Sequence, residues 1–157
     1  MMTHATPAQS HGILHRVEQL RAALEATPLS IVQLLARLGV AAVFFKSGMT
    51  KIASWEFTIM LFRDEYRVPV LPPDTAALLG TAVELSMPVL QVLGLFARLA
   101  TLPLLGMVLV IQLFVYPQSW AEHLTWAALL LLILTRGPGA IALDRFIAPV
   151  LFPHREG

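Results

Sequence analysis

Apolar residues along this chain gather into four long runs, with polar residues ahead of them and between them. The first run starts behind Thr27-Pro28 and continues to about Thr50. Thr-Pro there reads as an N-cap followed by proline at the first helical position. About 22 residues at 1.5 Å each reach roughly 33 Å, enough to cross hydrocarbon. The second run covers about Thr75 to Phe96 and the third about Ala97 to Tyr116, with a tight turn at Gly94 to Arg98. The fourth runs from Ser119 to Thr135, short for a span. Ser119 with Glu122 three residues later predicts a capping box, and Arg136-Gly137-Pro138-Gly139 stops the helix.

Between the first two runs lies the one long connection, residues 51–74. Trp55, Ile59, Phe62 and Tyr66 recur there at helical spacing behind Ser54, and Pro69, Pro72 and Pro73 end the segment. That pattern predicts a helix lying in the membrane interface, with the aromatic side chains at headgroup depth. The predicted fold class is all-α: an integral membrane four-helix bundle with an interfacial helix between spans 1 and 2. The expected divisions are a polar cytoplasmic segment over 1–27, a four-span domain over 28–136 and a short amphipathic tail over 137–157. Within the first segment, Ile13 to Ala26 suits a short amphipathic helix. The long polar leader and the absence of an evident cleavage site argue for a retained segment rather than a signal peptide. In the tail, Ile141, Phe146 and Ile147 form an apolar side.

Composition supports the membrane reading. The 157 residues are 57% hydrophobic and 13% charged, against about 25% charged in soluble domains, and the mean hydropathy is +0.71. A net charge of +1 without clustered Lys and Arg speaks against nucleic acid. No cysteine is present, which excludes disulfides, thiolate-held iron–sulfur clusters and a thiol relay on this chain. Orientation follows from basic residues near the span ends. Arg16, Arg21, Arg98, Arg136, Arg145 and Arg155 fall on one side, and Lys51, Arg63 and Arg67 on the other. That bias puts both termini in the cytoplasm.

Arg37, Lys46, Glu84 and Gln112 lie within the spans, where an ionised group costs about 2.5–3.5 kcal/mol on insertion scales. Arg37 is nine residues into its span, about 13 Å from the inner end, and Glu84 about twelve residues before the inner end of its own, about 18 Å. On adjacent antiparallel helices this predicts a buried Arg37–Glu84 ion pair, with Gln112 completing a polar cluster. Pro88 leaves the carbonyl of Glu84 without its helical partner. The pair reads either as glue that fixes helix register or as a proton or quinone site, with Glu84 as the carrier. Lys46 points the other way round the helix and snorkels outward, whereas Lys51 lines an outer opening. His123, beside Trp120 in the first turn of its helix, reads either as an interface histidine or as a partner for a quinone carbonyl. No metal-ligand spacing, nucleotide loop or nucleophile motif is present.

Several of these residues also carry a family resemblance. Arg37-Leu-Gly39 with Gly48-x-x-Lys51, Val68-Pro69, Glu84 followed by Leu-Gly-Leu-Phe-Ala-Arg98, and Gly137-Pro-Gly139 with Leu143-Asp144 resemble the DoxX family of small bacterial membrane proteins. The resemblance covers about residues 30 to 147, and Arg37, Lys51, Glu84 and Arg98 match its polar positions. It implies a four-helix bundle linked to quinone-dependent redox systems, with no reaction established for most members. The expected role is a subunit or anchor of a quinone-linked membrane redox complex. Its surroundings are the lipid bilayer and a redox protein partner. The chain has no haem, flavin or thiol centre of its own, and quinone is the one cofactor implied. Two rival readings are a small transporter or permeation element, and a structural assembly factor without catalysis.

Overall fold

The computed structural model describes residues 8–151, with side chains described over 14–147. Seven helices account for the described architecture: α1 (Ala8–Glu25), α2 (Leu29–Ala53), α3 (Trp55–Leu61), α4 (Pro73–Leu93), α5 (Ala97–Val110), α6 (Trp120–Arg136) and α7 (Asp144–Leu151). Two of them end in a single π turn. Phe62–Tyr66 continues α3, and Ile111–Val115 continues α5. The apolar runs did mark the helices, because in lipid every backbone amide must bond within its own segment.

Among the described residues, three helices are long and apolar enough to cross a membrane: Leu29–Ala53, Pro73–Leu93 and Ala97–Val115. The expected fourth span, α6, has 17 residues, about 26 Å, a little less than the ~30 Å of hydrocarbon. It packs against α2 and α5 all the same, while α4 packs against α2 and α5 on the other side, so the four long helices enclose one core. That core is built from Ala36, Val40, Phe44, Ala97, Leu104, Val108, Leu130 and Ile133. Large leucines point the other way: Leu35, Leu78, Leu99, Leu109 and Leu124 are all exposed. The interior holds Arg37, Glu84, Gln91, Thr101 and His123. Leucines outward and polar groups inward is the arrangement expected where the solvent is lipid.

Helix α2 buries Gln33, Ala36, Arg37, Val40, Ala41, Phe44 and Gly48, a single stripe at spacings of three and four. Gly48 sets the closest approach to α4. A Cβ there would lie 2.8 Å from Leu85 Cδ2 and 3.1 Å from Glu84 Cβ.

At the opposite end, residues 136–144 close the assembly. The Gln33 amide donates to the carbonyls of Arg136 and Gly137, each at 3.0 Å, and the Ala140 N–H donates to Ser30 Oγ at 3.0 Å. Asp144 supplies the N-cap of α5 from 47 residues away, accepting from Phe96 N–H at 2.6 Å and Ala97 N–H at 3.0 Å. A carboxylate at that helix start also meets the positive end of its dipole.

Local capping differs from expectation in two places, and one helix start differs as well. Helix α2 starts at Leu29, with Pro28 rather than Thr27 at the cap, and the Thr27 hydroxyl donates back to Ala23. Ser119 does precede α6, but its side chain makes no cap bond. Glu122 instead borders an open cavity, so the capping box does not form. Helix α1 begins earlier than the predicted Ile13, and its Leu14, Val17, Leu20 and Leu24 are all exposed.

Candidate functional site

The site grows from one face of α2. Phe44, Ser47 and Lys51 recur at spacings of three and four and so project together. Beside them, α4 presents Glu84. The Lys51 ammonium lies 2.8 Å from Glu84 Oε1 and 2.7 Å from Oε2, and donates to Ser47 Oγ at 2.9 Å. The Ser47 hydroxyl in turn donates to Glu84 Oε1 at 3.0 Å. The lysine side chain is 15% exposed and the glutamate 4%, so this is an ion pair with little access to solvent.

This result corrects the expected Arg37–Glu84 pair. Arg37 is wholly buried, yet it donates through Nη2 to the carbonyl of Ile141 and lies against Gly94. The reason is helix stagger. Glu84 is level with Gly48 and Arg37 with Gly94, and eleven residues of α2 separate Arg37 from Gly48, about 16 Å. The first two turns of α2 run past the end of α4, where the 136–144 segment covers them. A reading that aligned the helix ends therefore brought the wrong residues together.

Gln112 does not join a cluster with Arg37 or Glu84 either. It sits on the π turn of α5, donates through Nε2 to the Pro117 carbonyl at 2.9 Å, and places Oε1 2.7 Å from His123 Nδ1. His123 is 3% exposed. Its ring packs on Trp126, with centroids 5.2 Å apart, and Trp126 packs edge-on against Phe44 at 5.6 Å. An aromatic wall thus joins the His123 side of the site to the Lys51–Glu84 side. Trp120, expected beside His123, is exposed on the outside of α6 and lines nothing here.

These groups surround one cavity of about 470 Å³. Lys51, Glu84 and Ser47 lie on one wall of it and His123 and Glu122 on another, with largely apolar side chains such as Val83, Met107 and Ile111 between them. Both π turns border it, through Phe62 and Tyr66 on one side and Ile111 and Val115 on the other. A π turn inserts one residue and rotates the chain beyond it, a device frequent at functional sites. Here the two turns bring Tyr66 and Tyr116 together at 5.8 Å, and the Tyr116 hydroxyl donates to Glu65 at 3.1 Å. Burial first, and then Tyr116 and the Glu65 and Glu84 carboxylates, hold the Tyr66 phenol above its ordinary value. It remains a neutral hydroxyl at the cavity edge.

Of the residues singled out from sequence, Lys51, Glu84 and His123 border this cavity, Gln112 supports one of them, and Arg37 and Trp120 lie elsewhere. Ser47, Tyr66, Glu122 and Trp126 escaped notice as site residues. For Ser47 a signal was available, since it stands four residues before Lys51 on the same helical face.

Such a cavity can hold a small, largely apolar molecule with a polar edge. Neither the curated proteins nor the solved structures include a match to the chain. The DoxX family model matches residues 32–117, more than half of the 157, and that stretch contains Arg37, Lys51, Glu84 and Gln112. The chain is a membrane protein of the DoxX family.

Proposed function

We propose that this protein is a membrane subunit or anchor of a quinone-linked redox complex, and that the cavity receives the quinone headgroup. The observation that carries the reading is a cavity that joins aromatic and apolar walls to a buried Lys51–Glu84 pair. Its volume falls within the ~300–1,000 Å³ usual for small-molecule sites. The residues fit such a group. Phe44 and Trp126, packed edge-on, line the cavity with aromatic surface against which a ring can rest. The Lys51 ammonium has three N–H groups and two acceptors among the described residues, Ser47 and the Glu84 carboxylate, so it retains a donor for a ligand oxygen. When bound, a quinone supplies the capacity to take up or release electrons and protons. The chain's own residues position it, shield it from water and hold charge beside it. With no thiol on the chain, a redox protein in the same membrane is the electron partner.

In this reading α6 is the fourth span and α3 with its π turn lies in the interface. Both termini are on the cytoplasmic face of a bacterial inner membrane, so the cavity sits in the outer half. A short-chain quinone added to the purified protein is expected to quench the fluorescence of Trp126 saturably, and Glu84→Gln to lower quinone-dependent electron flux in membranes. The reading fails if the protein takes up no quinone and Glu84→Gln changes neither flux nor complex formation.

One observation favours a second reading, a permeation element: the cavity reaches Glu84 from one end. Against it, the other end is held by the hydrogen bonds of residues 136–144. Solute or proton flux through liposomes containing the protein alone would decide for permeation.

A further inference from the structure

The hydrogen bonds behind His123 fix what its ring can offer to the cavity. The Pro117 carbonyl can only accept, so the Gln112 group 2.9 Å away is the amide N–H. The other end of that amide, facing His123 Nδ1 at 2.7 Å, is therefore the carbonyl oxygen, which also can only accept. Nδ1 must then carry a proton. In the neutral ring this leaves Nε2 bare, an acceptor without a donor among the described residues. Nε2 is also not among the buried atoms closed off without a partner, and the His123 ring borders the cavity.

Resting on the reading of the cavity as a quinone-type site, we propose that Gln112 holds His123 as a hydrogen-bond acceptor, so that the site selects the reduced, hydroxyl-bearing form of its ligand over the oxidised form. A hydroquinone O–H has a partner at His123 Nε2. A quinone has only acceptor oxygens and leaves that nitrogen unpaired, while both forms present an oxygen to Lys51. His123 packs on Trp126 and Trp126 edge-on against Phe44, so a chain of aromatic rings links the two polar walls of the one cavity that Lys51 and His123 both border. Gln112 is a positioning residue, acting only through the tautomer of His123.

The test uses the full chain in lipid nanodiscs and three probes: a short-chain benzoquinone, its hydroquinone kept under argon, and the dimethyl ether of that hydroquinone, which has no O–H. One matched hydrogen bond predicts that the hydroquinone binds about tenfold more tightly than the quinone or the ether. For a two-electron couple, tenfold tighter binding of the reduced form raises the midpoint potential by about 30 mV. His123→Phe and Gln112→Leu are expected to bring the hydroquinone-to-quinone affinity ratio near one, with the folding of both variants checked separately by circular dichroism and melting temperature. Independently of any variant, 15N NMR of the unliganded protein should show His123 protonated at Nδ1 and bare at Nε2. Equal affinity for quinone and hydroquinone overturns the inference while leaving the cavity as a quinone site. An Nε2-protonated or doubly protonated ring also overturns it. Absence of binding by all three probes overturns both the inference and the reading beneath it.

Discussion

Lys51 and Glu84 occupy a place where either charge alone is costly. Removing one partner of a buried pair leaves an uncompensated charge, a loss of about 3–5 kcal/mol. Glu84→Gln or Lys51→Met should therefore lower stability in detergent by about 3 kcal/mol, near the lower end because the lysine keeps 15% exposure. The double variant Lys51→Met/Glu84→Gln should recover most of that loss, as denaturant titration of all four proteins will show. Additive losses in the double variant would mean that the two groups do not interact. Tyr66 adds a pH dependence. Burial raises its phenol above the ordinary tyrosine value, so the folded state holds the proton more tightly than the unfolded chain. The stabilisation is complete below about pH 10, the unfolded phenol's value, and is lost as pH rises above it. Tyr66→Phe should flatten the alkaline fall in melting temperature, while the wild type loses stability from about pH 10 upward.

The π turns at Phe62–Tyr66 and Ile111–Val115 do at the level of elements what no single side chain can. Each rotates the chain beyond it, and together they set the Tyr66–Tyr116 contact at the cavity edge. Deleting Leu113, which is exposed, should convert the second turn to α-helix and turn Tyr116 by about 100° relative to α5. The deletion variant should keep its helical circular dichroism and lose the cavity's ligand, whereas unchanged ligand affinity would remove any role for the turn in binding. No sequence signal pointed to these turns: one inserted residue leaves the apolar run across Ile111–Val115 unbroken, and Phe62 and Tyr66 still stand at ordinary helical spacing. The runs themselves were legible, and so were the turn at Gly94 and the helix stop at Gly137, since lipid demands long unbroken apolar helices. Neither the stagger of α2 against α4 nor the cap from Asp144 was legible. Both depend on where residues 136–144 fold back, a contact between distant parts of the chain. For that reason Glu84 and Lys51 were each recognised as important while their pairing was not. The Ser119–Glu122 motif misled in a simpler way: the glutamate borders the cavity and the serine side chain makes no cap bond.

For the molecule as a whole, two ends of different character follow from this layout. One end is tied by Gln33, Ser30, Arg37 and Asp144 to the 136–144 segment; the other carries the cavity, the charged pair and the connection over 54–72. In the proposed orientation, which rests on the charge bias of the connections, the tied end faces the cytoplasm. Because the chain contains no cysteine, single introduced cysteines report topology without background. Asp64→Cys should react with a membrane-impermeant maleimide on intact spheroplasts and Gln19→Cys only after permeabilisation. The reverse pattern would turn the protein over and put the cavity at the cytoplasmic face.

The central claim is that the ligand binds at the Lys51–Glu84 and His123 end of the helices and not elsewhere on their surface. A shallow apolar groove on the outer face of α2 and α4, bordered by Leu38, Phe45, Pro88 and Val92, provides the natural contrast. Photolabelling of the full chain with a photoreactive quinone, followed by mass spectrometric mapping, separates the two directly. Adducts are expected on cavity residues such as Met107, Tyr66 and Trp126, suppressed by excess unlabelled quinone. Adducts confined to the α2–α4 groove, or labelling that no excess of quinone suppresses, would contradict the claim.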